Sequence, residues 1–171
     1  MTNTNGQNGL LVIVSGPSGA GKTTIARAIH SAFPGSVLSL SLTTRPMGPT
    51  EKEGVDYHFA SEEEFQKGVD AGAFLEHAGV YGKRYGTPRK PVEDGLAAGK
   101  LVILEIDVQG AKQVKAQIPG AFAMFVLTPT EEELLQRLRA RKRDSEEVIQ
   151  KRFARAREET AEAKRCGVYE R

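Results

Sequence analysis

The chain has 171 residues, the size of one ordinary domain, so its length calls for no second domain. Its 24 lysines and arginines nearly balance its 22 aspartates and glutamates, so the overall charge gives no reason to expect binding to nucleic acid or to a membrane surface. The single cysteine excludes an internal disulfide bond, and no apolar run approaches the ~20 residues of a membrane span, so we expect a cytoplasmic protein.

The first part of the chain combines a polar start with a phosphate-binding pattern. Residues 1–9 carry almost nothing to bury, and we expect a disordered tail there. Residues 10–15 form an apolar run typical of a buried strand. The segment from Gly16 to Thr23 then fits G-x-x-x-x-G-K-[ST], and a helix-like segment follows and ends near Phe33.

This pattern predicts a loop that binds a nucleoside triphosphate together with Mg²⁺. Glycines let the backbone turn several N–H groups toward phosphate oxygens, Lys22 reaches the β- and γ-phosphates, and the Thr23 hydroxyl can ligate the metal. The strand before the loop and the helix after it support the assignment. The expected triphosphate-binding residues are Gly16, Pro17, Ser18, Gly19, Ala20, Gly21, Lys22, Thr23 and Thr24.

Three further apolar runs predict the rest of a sheet. Residues 37–41, 101–107 and 122–128 are typical of buried strands, and the stretches between them can form helices. This spacing predicts an α/β fold in which a parallel sheet is flanked by helices on both faces. Ligands of such sheets bind at the carboxyl ends of the strands, which is where the phosphate loop lies.

Several positions mark helix boundaries. Ser61 and Thr130 are each followed three residues later by a glutamate, and both segments fit a capping box. Gly72 and Gly99 are placed to end helices by adopting a left-handed conformation. Residues 42–87 contain short runs with many aromatic residues and glycines, which we interpret as a small β-rich insertion.

Six motifs in sequence order resemble those of the guanylate kinase family. They are the phosphate loop, residues 41–46, residues 54–59, Glu76 ahead of residues 85–88, residues 105–110, and Arg137 and Arg141 leading to Arg152. The resemblance covers roughly residues 10–166. It implies a P-loop NTPase fold whose core comprises residues 10–41 and 88–130, with a GMP-binding insertion at 42–87 and a helical lid at 131–152.

The resemblance also implies an activity and its partners. The family transfers the γ-phosphate of ATP to GMP and gives ADP and GDP. We therefore expect ATP and Mg²⁺ as cofactors and GMP, together with dGMP, as the acceptor in purine nucleotide metabolism. No nucleic-acid or membrane partner is expected, and the protein is expected to be a monomer or a homodimer.

The same resemblance assigns the binding site for GMP. Ser41, Glu76 and Thr87 match the residues that recognise guanine, and a carboxylate can accept hydrogen bonds from the N1–H and the 2-amino group of that base. The clamp on the GMP phosphate is matched by Arg45, Tyr57 and Tyr85.

Acidic residues support this clamp in the family pattern. Glu51 and Asp107 match positions that hold the clamp or order nearby waters. An acidic end to an apolar strand is also typical of a contact to water or Mg²⁺, and the sequence does not divide these roles between Glu105 and Asp107.

A basic cluster near residue 140 has three interpretations: nucleic-acid binding, a solvated helix face, or a lid that closes on phosphates. Arg137 and Arg141 share a helix face, and Arg152 is expected to begin the returning helix, which favours the lid. By resemblance, Arg137 binds the ATP phosphates, and Arg141 and Arg152 act on the transferred phosphoryl group. With Lys22 and Arg45, these two arginines form the expected catalytic set.

Two other functions remain open at this point. One is a related kinase for another phosphorylated ribose compound, which would not need the guanine contacts of Glu76 and Thr87. The other is a guanylate-kinase-like module that binds a protein partner and has lost catalysis. The intact Lys22 argues against the second, because a binding module has no need of an ATP site.

The chain departs from the family pattern at two places. Gly48 stands where the family usually has a second phosphate-binding arginine. The family pattern also continues beyond residue 171 into a final strand, an Asn-Asp pair that contacts adenine, and a closing helix. We expect an edge strand and part of the adenine site to be missing from this sequence.

The glycine at position 48 leads to a prediction. Losing one charged hydrogen-bonding partner of a phosphate commonly costs about 1.5–3 kcal/mol, so Gly48→Arg should raise kcat/KM for GMP. Steady-state kinetics with GMP as the varied substrate would measure this change. An unchanged or lower kcat/KM would contradict the alignment at this position.

Overall fold

The computed structural model describes residues 9–140 and 144–170. The tail expected at residues 1–9 therefore lies outside the described residues, apart from Gly9. In chain order the elements are β1 (Leu10–Ser15), α1 (Lys22–Ala32), β2 (Val37–Ser39), β3 (Leu42–Thr43), β4 (His58–Phe59), α2 (Glu62–Asp70), β5 (Phe74–Val80), β6 (Lys83–Pro88), α3 (Arg89–Ala97), β7 (Leu101–Glu105), α4 (Val108–Gln117), β8 (Phe122–Phe125), α5 (Glu131–Ala140) and α6 (Glu146–Arg165).

The main sheet has four parallel strands in the order β2-β7-β1-β8. Each of the four apolar runs forms one of these strands, which confirms the predicted parallel sheet. Three strands end earlier than expected, at Ser39, Glu105 and Phe125. The residues beyond these ends leave the hydrogen-bonded ladder and enter the loops at the carboxyl edge, as Asp107 does when it caps α4.

Helices cover both faces of this sheet because successive side chains of a strand point to opposite sides. On one face Leu11 and Ile13 pack with residues of α3 and α4, including Val92. On the other face Val12 and Val14 pack with α1. Strands buried on both faces read as continuous apolar runs, which explains why β1 shows no alternation in the sequence.

A second, mixed sheet has the strand order β4-β3-β6-β5. Strand β3 pairs in parallel with β4 and antiparallel with β6, and β5 and β6 form an antiparallel hairpin with Tyr81 and Gly82 at its tip. Helix α2 packs Phe65 against Phe74 of β5, with ring centroids 4.6 Å apart. This unit corresponds to the β-rich insertion predicted for residues 42–87.

The predicted helix boundaries are confirmed at three of four places. Ser61 forms a complete capping box with Glu64, and Gly72 and Gly99 have φ values of 65° and 70°. The prediction at Thr130 is only half right. Its hydroxyl accepts a hydrogen bond from the backbone N–H of the third glutamate, but that glutamate's carboxylate accepts from Arg137 and does not return to the cap.

The last described residues lie against the main sheet. Tyr169 packs on Phe125 with ring centroids 5.0 Å apart and donates a hydrogen bond to the Ser15 hydroxyl at 2.9 Å. The backbone N–H of Glu170 donates to the carbonyl of Ala123 in β8 at 2.9 Å. Within residues 9–140 and 144–170, no helix has both the length and the apolar character needed to cross a membrane.

The left-handed position after α2 leads to a prediction. A Cβ added at Gly72 would meet no atom within 4 Å, so Gly72→Ala introduces backbone strain without a steric clash. We expect a loss of about 1–2 kcal/mol in the free energy of unfolding, measured by urea denaturation. Gly120→Ala is the matched control, because that site is equally open and has no positive φ. Equal losses in the two variants would contradict this explanation.

Candidate active site

The first half of the site is the phosphate loop between β1 and α1. Gly21 is the N-cap of α1 with a left-handed φ of 104°. A Cβ on Gly16 would lie 2.4 Å from the carbonyl oxygen of Val126, so only glycine fits where the loop leaves the sheet. The loop therefore presents the N-terminus of α1 at the carboxyl edge of the main sheet, a place that favours anions.

Two side chains tie this loop to its surroundings. The Lys22 ammonium donates hydrogen bonds to the carbonyl oxygens of Gly16 at 2.7 Å and Pro17 at 3.1 Å. The Thr23 hydroxyl donates to Oε1 of Glu105 at 2.8 Å. Glu105 is the last residue of β7, so this bond joins the loop to the acidic end of the neighbouring strand.

Helix α5 packs directly on the phosphate loop. Leu134 and Leu138 are buried, and their side chains would lie 3.3 and 3.2 Å from a Cβ added at Gly19. The Arg137 guanidinium donates to the carbonyl oxygen of Ala20 at 3.2 Å and also contacts the Glu133 carboxylate. The expected ATP-binding arginine thus lies beside the loop.

The second half of the site is an arginine clamp in the insertion. Arg45 donates to both carboxylate oxygens of Glu51 at 2.8 Å, and its Nε donates to the Tyr85 hydroxyl at 3.3 Å. The guanidinium also lies over the Tyr57 ring, 5.3 Å from its centroid. The bond to Arg45, followed by one from the Gly48 N–H, lowers the pKa of Glu51, so the pair is charged at neutral pH.

Tyr57 connects this clamp to the strand ends. Its ring meets that of Tyr85 edge-on, with centroids 6.0 Å apart. Burial, followed by the negative charge of Glu105, raises the pKa of Tyr57 to about 12. The phenol is therefore a neutral hydrogen-bond donor at neutral pH, and the charge that acts on it belongs to the carboxylate that Thr23 contacts.

Glu76 of β5 and Thr87 of β6 form a buried polar pair within the second sheet. Glu76 is only 4% exposed, and its Oε1 accepts a hydrogen bond from the Thr87 hydroxyl at 2.6 Å. Burial raises the pKa of Glu76 to about 7, and the nearby Asp107 carboxylate contributes. Ser41 lies at the entrance to β3, where its carbonyl accepts from the His58 N–H at 3.0 Å.

Asp107 completes the acidic side of the cleft. Its Oδ1 accepts from the Gly110 N–H at 2.8 Å and so caps α4. Its Oδ2 is buried with no hydrogen-bond partner. A buried acceptor without a partner is costly, which makes this oxygen a candidate contact for a bound polar group.

A comparison with known proteins identifies the family. The family model described as Guanylate kinase matches residues 8–168. The chain belongs to the guanylate kinase family. These enzymes transfer a phosphoryl group from ATP to GMP, and the family resemblance and the α/β P-loop fold expected from the sequence are both confirmed.

Individual guanylate kinases match over most of their length. The guanylate kinase of Thermosynechococcus vestitus is 49% identical over 163 residues, which are 95% of this chain and 85% of the relative. That of Anaeromyxobacter dehalogenans is 52% identical over 154 residues, 90% of this chain and 68% of the relative. A crystal structure of guanylate kinase from Anaplasma phagocytophilum matches with a TM-score of 0.77 at 33% identity, covering 95% of this chain and 74% of that one.

The lid arginines differ from the sequence-based picture. Arg141 lies outside the described residues. Helix α6 begins at Glu146, so Arg152 lies well inside this helix and does not begin it. Arg152 pairs with Asp144 at 3.4 Å, whereas Arg137 contacts the phosphate loop. That Arg137, Arg141 and Arg152 converge on one anion stays a prediction.

Sequence reasoning missed three residues that lie around Arg152: Tyr81, Arg155 and Glu159. The guanidiniums of Arg152 and Arg155 lie 5.3 and 4.9 Å from the ring centroid of Tyr81, at the tip of the β5–β6 hairpin. Arg155 also donates to Glu159 at 3.0 Å, and the charges of Lys22 and Asp107 both act on Glu159. The i, i+4 spacing of Arg155 and Glu159 was a visible signal, but it is equally typical of a solvated helix face.

Gly48 has a specific place in the clamp. Its N–H donates to Oε2 of Glu51 at 2.7 Å. A Cβ at this position would lie 2.9 Å from the same oxygen, so a larger residue requires the Glu51 carboxylate to shift. The backbone has no positive φ here, and a side chain adds no backbone strain.

The raised pKa of Glu76 leads to a prediction about stability. Between pH 4.5 and 7 the folded chain keeps a proton on Glu76 that the unfolded chain releases, so this group lowers stability as the pH rises. At pH 8 we expect the free energy of unfolding of Glu76→Gln to exceed that of the parent by about 3 kcal/mol, and near pH 4.5 we expect no difference.

Urea denaturation over a series of pH values would measure this difference. Glu62→Gln, at an exposed position at the start of α2, is the control and should show no comparable trend. A stability gain of Glu76→Gln that is the same at every pH would contradict the assignment.

Proposed function

We propose that this chain transfers the γ-phosphate of ATP to GMP, and also to dGMP, and so serves purine nucleotide metabolism and the recycling of GMP. One observation carries the proposal. Glu105 contacts Thr23 of the phosphate loop and acts electrostatically on Tyr57 of the clamp, while Asp107 acts on both Glu76 and Glu159. We therefore take the phosphate loop and the Arg45 clamp to adjoin at the carboxyl ends of the strands.

The acceptor base is proposed to be guanine. A carboxylate at Glu76 can accept hydrogen bonds from the N1–H and the 2-amino group of guanine, and Thr87 already donates to this carboxylate. Ser41 is proposed to contact the same base. Adenine offers no such pair of donors, so its binding would leave a buried acceptor unpaired. Binding guanine would also favour the charged form of Glu76, whose burial otherwise favours the proton.

The acceptor phosphate is proposed to bind at the clamp. Arg45 presents a planar fork that Glu51 already orients, and this fork suits a phosphate dianion better than an ammonium would. The hydroxyl groups of Tyr57 and Tyr85 can each donate one hydrogen bond. We propose that Asp107 supports this end of the cleft through its unpaired buried oxygen.

The donor is proposed to be ATP with Mg²⁺ at residues 16–24. Within the described residues there is no group of three or more His, Cys, Asp or Glu that could hold a metal. The Thr23 hydroxyl and the Glu105 carboxylate are hard oxygen ligands, which fit an ion that binds through one or two protein groups and the phosphates. When bound, Mg²⁺ would neutralise charge on the phosphate oxygens.

Transfer is proposed to depend on positioning and charge. Lys22, Arg45 and Arg152, with Arg141 outside the described residues, are the proposed catalytic residues, and Arg137 is proposed to bind ATP from α5. The attacking oxygen belongs to a phosphate that is already anionic, so no general base is needed. The domain boundaries, the cytoplasmic location and the oligomeric state expected from the sequence remain predictions.

An acceptor panel tests this function. We expect ADP to form from ATP and Mg²⁺ with GMP and dGMP but not with AMP, CMP or UMP. Lys22→Ala should lower kcat by roughly 10²-fold or more, because it removes a charge from the phosphates undergoing transfer. A coupled assay for ADP measures both effects.

Exposed Lys90 offers a matched control, since Lys90→Ala also removes an ammonium, one that pairs with Asp94 within α3 and not with the phosphate loop. Its activity should equal that of the parent. Silence with every acceptor despite measurable GMP binding would contradict the proposal and support a non-catalytic binding module.

A further inference from the structure

Helix α4 holds the backbone on both sides of Glu76. The Gln113 side chain donates from Nε2 to the carbonyl oxygen of His77 at 2.9 Å and accepts at Oε1 from the His77 N–H at 3.2 Å. The Gln117 side chain donates to the carbonyl oxygen of Leu75 at 2.7 Å. Strand β5 pairs with β6 along its other edge, so Glu76 is fixed between a strand and a helix.

Gly110 lies on the same face of α4, one turn before Gln113, and it faces the carboxylate itself. A Cβ added at Gly110 would be 2.5 Å from Oε2 and 2.9 Å from Cδ of Glu76. Such distances are well inside van der Waals contact, so the position has room for the carboxylate only because no side chain is present.

The neighbouring contacts leave little room for relief. The Gly110 N–H is bound by Asp107, which fixes the first turn of α4. The other oxygen of Glu76 is held by Thr87 at 2.6 Å. Moving β5 away from α4 would break the bonds to Gln113 and Gln117. A methyl group at position 110 must therefore displace the carboxylate.

We propose that the face of α4 formed by Gly110, Gln113 and Gln117 positions the Glu76 carboxylate and thereby sets the preference for guanine. The inference rests on the proposed function, because Glu76 is taken to accept from two adjacent donors of the base. Two parallel hydrogen bonds require both carboxylate oxygens in the plane of the base, and a small displacement breaks at least one of them.

Gly110→Ala tests this proposal with GMP and inosine monophosphate, whose base keeps the N1–H but lacks the 2-amino group. We expect KM for GMP to rise roughly tenfold or more and the ratio of kcat/KM for GMP over inosine monophosphate to fall by a similar factor. KM for ATP should stay within about twofold of the parent value, because the phosphate loop is not touched.

Gly95→Ala is the matched control. It also adds a methyl group to a buried helical glycine, but this glycine lies in α3. The added Cβ would lie 2.7 Å from Cγ2 of Val102 in the core. It should lower the unfolding temperature while leaving the preference between the two nucleotides unchanged. A preference that falls equally in both variants would overturn the proposal, since general destabilisation would then explain it.

Gln113→Met provides a second test that does not depend on the folding of Gly110→Ala. It keeps the approximate volume and removes both bonds to His77, so it should shift the same ratio in the same direction, by a smaller factor. Titration calorimetry of GMP and inosine monophosphate gives the preference without turnover. A parent that binds both equally refutes the proposed recognition of the 2-amino group by Glu76 and, with it, this inference, while ADP formation in the acceptor panel tests the proposed function separately. A parent that prefers GMP, with variants that keep this preference, refutes the inference alone.

Discussion

The parallel pairing of β1 with β7 is the constraint on which the site depends. Parallel strands end at the same edge of a sheet, and the register that sets Val14 against Glu105 brings the loop after β1 next to the acidic end of β7. The hydrogen bond from Thr23 to Glu105 follows directly from this register. A shift of one residue would turn Glu105 toward the other face and separate the two.

The charged groups of the cleft are held by partners within the chain. Arg45 is bound by Glu51, Arg152 by Asp144 and Arg155 by Glu159. Each of these pairs gives its guanidinium a defined orientation within the folded chain. Glu76 is the opposite case, since no cation pairs with it among the described residues and its burial lowers stability at neutral pH. The site thus combines arginines that are oriented by carboxylates with one buried carboxylate that lowers stability.

Helices α5 and α6 together contact the phosphate loop and the β-rich insertion. Helix α5 reaches the phosphate loop through Arg137, and α6 reaches the β-rich insertion through Tyr81. Tyr81 has a φ of 51°, a strained value for a tyrosine at a hairpin tip, and its ring supports two guanidiniums. A movement of α6 relative to the insertion would therefore change the surroundings of Arg152 and Arg155 together.

The sequence by itself determined the phosphate loop, the four strands of the main sheet and the helix ends at Ser61 and Gly72, because short windows contain the glycines, apolar runs and caps that create them. Tertiary structure decided the rest. The carboxylate of Glu133 contacts Arg137 and not its own cap, and Gly110 matters only because Glu76 lies against it. These contacts depend on groups that are distant in the chain or compete with local ones, and local periodicity carries no information about which partner wins.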